Sequence, residues 1–221
     1  MRMTNFKMIN LFFGGGSGGG RMNLKEFVEK YPQFKKVFNF LKEYLEEKPE
    51  NIKIYSFKEA AKQGFRIRET VEAFVVKPDK VYFRHIPPDL YTFTHELIHL
   101  CKKDNDIEEE VYAYNLVEAV IYVAENDIKA NIFKLFNLTR KDIEKVLKEL
   151  GFSNIEEFYQ VLGVIPTTHT LIPSENGLKI VQKEGVAEKH VVIMFITEII
   201  GGLKYDYLCE KVFQNLLTLL K

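Results

Sequence analysis

The sequence predicts an α+β fold: a small antiparallel or mixed sheet with helices around it, followed by a mostly helical C-terminal half. Three observations carry this. Two runs rich in β-branched and aromatic residues flank "KPDK" and read as a hairpin. Apolar residues recur at helical spacing on both sides of that hairpin. From about Asn137 onward, cap residues, amphipathic runs and glycine stops alternate.

Taken in order, residues 23–48 place Leu24, Phe27, Val28, Phe34, Val37, Phe38, Leu41 and Leu45 at helical spacing, with Asn23 as cap and Pro32 as a break. "IKIY", residues 52–55, is bounded like a short strand. Ser56 then caps a short helix, "FKEAAKQ", that stops at Gly64. The hairpin strands fall near residues 70–76 and 80–85. Pro87 and Pro88 punctuate the chain, Asp89 or Thr92 caps the next helix, and that helix carries "HELIH". After Asp106 a second, strongly apolar helix runs to about Ala124. Thr139 and Ser153 are caps for "RKDIEKVLKEL" and "NIEEFYQVL", with Gly151 and Gly163 as stops. "VIPTTHTLIPSENG" reads as irregular and "LKIVQ" as a short strand, before two apolar helices.

One segment differs in style from all the rest. "GGGSGGG", residues 14–20, has the composition of a flexible engineered linker, and Met22 is a plausible original start. Residues 1–13, "MRMTNFKMINLFF", then read as a tethered peptide, partner-derived or regulatory, whose seven-residue leash spans ~15 Å on average. The expected organisation is a tethered peptide (1–13), a linker (14–20), a zincin-like catalytic domain (22–135) and a helical C-terminal region (136–221).

Composition excludes several classes of function. The 221 residues, 46% of them hydrophobic, are enough to bury a real core. Lysine plus arginine (31) balance aspartate plus glutamate (31), so no bulk basic charge calls for nucleic acid or an anionic membrane. The longest apolar run, "VVIMFITEIIGGL", is too short for a membrane span and contains Glu198. Cys101 and Cys209 cannot form a disulfide framework. Each reads as a small buried hydrophobe, which suits a cytoplasmic location. The excess of glutamate (24) over aspartate (7), with abundant lysine, leans towards proteins of thermophiles.

The chemistry concentrates in "HELIHLCKKDNDIEEEVYAY", residues 95–114. Residues four apart share a helix face, so His95 and His99 can offer imidazole nitrogens to one ion. Glu96, rotated by about 100°, can point towards metal-bound water as a general base. Composition alone predicts roughly 0.01 chance occurrences of His-Glu-x-x-His in such a chain. A catalytic zinc needs a third protein ligand, and the short turn folds the next helix back towards the first. Glu110 shares a face with Ala113, Val117 and Val120 or Ile121, and the small Ala113 permits the close approach that a metal bond demands. Glu110 is therefore preferred, with Glu108 and Glu109 as the alternatives. Acidic residues also favour a helix N-terminus whatever the metal does.

"TFTHELIHL" followed by "EVYAYNLVEA" resembles the gluzincin metallopeptidases, in which a downstream Glu-x-x-Ala helix supplies the third ligand. The short spacing is similar to minimal gluzincins and to repressor-cleaving anti-repressor peptidases. The resemblance implies one zinc ion held by His95, His99 and Glu110, with Glu96 as general base, and a peptide or protein substrate. It covers roughly residues 70–124. The chain departs from it at Tyr114, where several relatives carry Asp or Asn, and at Leu97-Ile98, where the anti-repressor type commonly has a glycine.

A tetrahedral intermediate needs a further hydrogen-bond donor, and Tyr112, Tyr114 and His169 are the candidates for that or a supporting role. His85 follows a strand and would support the site or the fold; His190 opens an apolar helix and is incidental. Two other functions compete with a peptidase: a metal-binding interaction module on a peptidase-like fold, and a hydrolase of non-peptide amides. An intact Glu96 favours hydrolysis, because a structural site needs no base.

Overall fold

The structure is a computed structural model that describes residues 22–221. The expected tethered peptide and linker, residues 1–20, lie outside the described residues. The fold is α+β, as the sequence predicts. Strands β1 (Met22–Asn23), β2 (Lys53–Ser56), β3 (Ala73–Val76) and β4 (Lys80–Phe83) form a mixed sheet in the order β1-β2-β4-β3. β2 and β4 are parallel, and the other two pairings are antiparallel.

Alternation sorts this sheet into two faces. Ile54, Val75, Val81 and Phe83 point into the main core. Tyr55, Phe74, Val76 and Tyr82 form a smaller cluster with Ala60, Phe57 and Phe65. Helix α3 (Phe57–Lys62) covers that side, and Tyr82 donates its hydroxyl to Gln63 Oε1 at 2.7 Å.

On the core side, α1 (Leu24–Lys30), a 3-10 turn at Pro32–Phe34 and α2 (Lys35–Leu41) carry the helical pattern expected over residues 23–48, with the break at Pro32 and an end at Leu41, earlier than the expected Lys48. The helix stops at Leu41 because the chain then turns so that Leu45 can bridge to Cys101. α4 (Leu90–His99) follows the hairpin and α5 (Glu109–Glu125) packs closely on it. α5 is buried on several sides, through Tyr112, Ala113, Leu116, Val117, Val120 and Val123, and also contacts α2 and α8 (Glu188–Gly202). α6 (Arg140–Glu149), α7 (Ile155–Leu162) and α9 (Tyr207–Leu219) complete the helices, and their apolar faces join the same hydrophobic cluster. Among the described residues, no helix is long and apolar enough to cross a membrane.

Local signals set most helix starts. Asn23, Ser56 and Thr139 each accept a backbone N–H while the acid three residues on reaches back, a reciprocal box. Asp89, rather than Thr92, caps α4: its carboxylate accepts from Thr92 N at 2.8 Å and from the Thr92 hydroxyl at 2.8 Å. Asn154, not Ser153, caps α7, since its amide oxygen accepts from Glu157 N at 2.8 Å. α5 begins with no side-chain cap at Glu108.

The segment expected to be irregular contains a strand. β5 (His169–Ser174) pairs antiparallel with β6 (Gly177–Gln182), and Gly177 takes a positive φ of 109° at the turn. β5 exposes nearly all of its residues after His169, so it lacks the apolar alternation by which strands are recognised. Cys101 and Cys209 are both buried and free, and burial pushes both thiols up.

Candidate metal centre

α4 is amphipathic in a way that separates packing from chemistry. Phe93, Leu97 and Leu100 are completely or almost completely buried, and Phe93 stacks on Phe34 with ring centroids 4.2 Å apart. Phe27 and Phe83 extend the stack. This anchors the helix and turns His95 and His99 towards the first turn of α5.

Three donor groups converge there. His95 Nε2 and His99 Nε2 are 3.0 Å apart. Glu110 places Oε2 3.4 Å from His95 Nε2 and Oε1 3.3 Å from His99 Nε2. A tetrahedral ion with bonds of about 2.05 Å holds its ligand atoms about 3.3 Å apart, so the spacing fits zinc. Among the described residues, His95, His99 and Glu110 are the group of metal-ligating side chains gathered this way. The two histidine side chains are 16% and 10% exposed, whereas that of Glu110 is 44% exposed, so the centre has a buried floor and an open side.

The other two glutamates do different things. Glu108 sits outside the helix as its cap residue and is not in the cluster. Glu109 turns to the far nitrogen of His99: Nδ1 donates to Glu109 Oε1 at 3.3 Å. Lys77 Nζ, in the turn of the β3–β4 hairpin, lies 2.7 Å from the same carboxylate oxygen.

The electrostatics follow from these contacts. Hydrogen bonds from His95 and His99 hold the Glu110 carboxyl far below the usual carboxylate range. The bond from His99, helped by Lys77, pulls Glu109 down to about 2 against the effect of burial. Burial disfavours the His99 imidazolium, but Glu109 and Glu110 outweigh it and raise its pKa to about 9. Glu96 is 6% exposed, and burial pushes its carboxyl up to about 8, with repulsion from Glu110 adding and His99 opposing. A divalent cation at the cluster would draw Glu96 back down, towards the range in which a carboxylate works as a base.

The remaining candidates lie elsewhere. Tyr112 is 2% exposed and packs on Phe133 and Phe136, so it is a core residue and offers no hydroxyl to the cluster. Tyr114 is 64% exposed, one turn beyond Glu110, and lies close enough to Tyr91 on α4 to help burial raise that phenol's pKa. His169 is not on a surface loop: it is 2% exposed, bonded through Nδ1 to the Thr168 hydroxyl and set edge-on to Tyr159. Its charged neighbours are Glu156 and Arg140, and burial lowers its pKa. His85 is exposed and 4.0 Å from Glu72, and His190 is exposed on α8.

Nothing local in the sequence distinguishes Lys77 from the other lysines of the chain. No protein-family model matches the chain, and no curated protein or solved structure shows a significant match to it.

Proposed function

We propose that the chain is a zinc-dependent peptidase acting on peptide or protein substrates in the cytoplasm, with one ion held by His95, His99 and Glu110. The observation that carries this reading is the triangle of donor atoms at 3.0, 3.3 and 3.4 Å with the buried Glu96 carboxyl beside it on the same helix. The bound ion would polarise the scissile carbonyl and lower the pKa of an attacking water.

The residues of the chain do the rest. Glu96, as carboxylate, takes the proton of that water and delivers it to the leaving amine. Its burial excludes competing solvent, which strengthens each charge contact at the reacting centre. The exposed flank of Glu110 leaves an approach for an extended chain, and β3 is the edge of the sheet beside α4. A merely structural zinc would be closed by a fourth side chain, and none joins these three among the described residues.

The deciding experiment is metal content and affinity in the three single alanine variants of the acidic turn. Glu110→Ala should cut zinc affinity by more than the ~10–100-fold that loss of an outer partner costs. Glu108→Ala should leave it unchanged. Equal zinc content in all variants would remove Glu110 from the ligand set. An unmodified chain that takes up no zinc would end the peptidase reading.

A further inference from the structure

Two adjacent glutamates at the start of one helix cannot both face one ion, because consecutive side chains diverge by about 100°. The structure gives them separate partners. Glu110 meets the Nε2 atoms of both histidines, whereas of the two rings Glu109 meets His99 alone, at Nδ1. An imidazole that donates Nδ1–H to a carboxylate keeps its lone pair on Nε2, aimed at the ion, and becomes a stronger donor to it.

The two histidines are unequal in this respect. His95 Nδ1 is buried and has no hydrogen-bond partner among the described residues, so His99 alone receives such support. Lys77 completes the arrangement from the hairpin turn, 2.7 Å from Glu109 and 4.0 Å from Glu46. At 42% and 44% exposure the Lys77–Glu109 pair contributes little energy by itself. Its effect is directional: it holds the carboxylate on the outer side of His99.

We infer that Glu109 is a positioning residue of the metal centre, fixing the His99 ring with Nε2 towards the ion, and that Lys77 keeps Glu109 in that place and out of the ligand set. The inference rests on the metal-centre reading above. It assigns the run of three acids fully: Glu108 precedes the helix, Glu109 orients a ligand, and Glu110 is a ligand. It also ties the edge hairpin of the sheet to the metal through one lysine.

The test is zinc affinity of the full chain by chelator competition, together with nitrogen-15 spectra of the histidine rings in the zinc-loaded protein. Glu109→Ala should weaken zinc binding by about 10–100-fold. Glu109→Gln, which keeps a carbonyl acceptor, should recover part of that loss, and Lys77→Met should cost a few-fold. In the unmodified protein the His99 Nδ1 proton should be visible and hydrogen-bonded; in Glu109→Ala it should shift or vanish while His95 is unmoved. Zinc affinity of Glu109→Ala within twofold of the unmodified chain would overturn the inference. So would an equal loss in Glu108→Ala, which would reduce the effect to charge at a helix end. Failure of the unmodified chain to bind zinc would overturn this inference and the metal centre together, whereas the first two results leave the centre standing.

Discussion

Glu96→Gln is expected to retain zinc at its normal stoichiometry and to slow peptide hydrolysis by about 10²–10⁴-fold or more, the range a positioned general base supplies. The substitution keeps the volume of the side chain and removes only its capacity to take a proton. Because burial raises the carboxyl to about 8, above its ordinary value of 4.5, the folded state binds the extra proton between those values. The stability this group contributes therefore falls as pH rises through that window in the metal-free protein, and the neutral amide removes its share, leaving that of His99, whose raised pKa acts in the same direction. Activity against an unfolded protein, measured at matched zinc content, is the readout. Unchanged turnover would assign the base elsewhere, and loss of zinc along with activity would make Glu96 a structural residue.

Phe93→Ala should be the most destabilising single change near the site. Phe93 is fully buried, two residues before His95, and stacks against Phe34, Phe27 and Phe83. Truncating a buried phenylalanine costs about 3–5 kcal/mol through lost burial and the cavity left behind. In a chain of this size that lowers the melting temperature by roughly 6–20 °C. Phe93→Leu, which refills most of the volume, should lose far less. Thermal unfolding followed by circular dichroism distinguishes the cases: a melting point within 2 °C of the parent for Phe93→Ala would mean that the stack does not anchor α4.

The parts of the protein written in short-range chemistry were legible. Asn23, Ser56 and Thr139 announce helix starts because a cap needs only the next three residues. His95, Glu96 and His99 are placed by helical geometry alone, and Glu110 by its stripe with Ala113. Illegible features depend on partners distant in sequence. β5 exists because β6 pairs with it, and Pro173 within an exposed run hides it. The burial of His169 follows from the contact with Tyr159, and the role of Glu109 from Lys77, which is 32 positions earlier. Asn154 displaced Ser153 as cap because either side chain suits the position, and only the path of the backbone chooses.

The start of α5 lacks the side-chain cap that α1, α3, α4 and α6 possess. In helix–coil terms, its first turn is the easiest part of the helix to unwind, since its leading amides have no local acceptor. Both acids of that turn instead reach across to α4. An ion held by Glu110 and the two histidines would fasten the turn to its neighbour from the side, although a cation accepts no hydrogen bond from the leading amides. By mass action, each tenfold of free ion above its dissociation constant adds about 1.4 kcal/mol to that ordered state. Metal supply and the winding of one helical turn would then be a single equilibrium, in which the ion proposed for the chemistry is also the clasp that orders its own site.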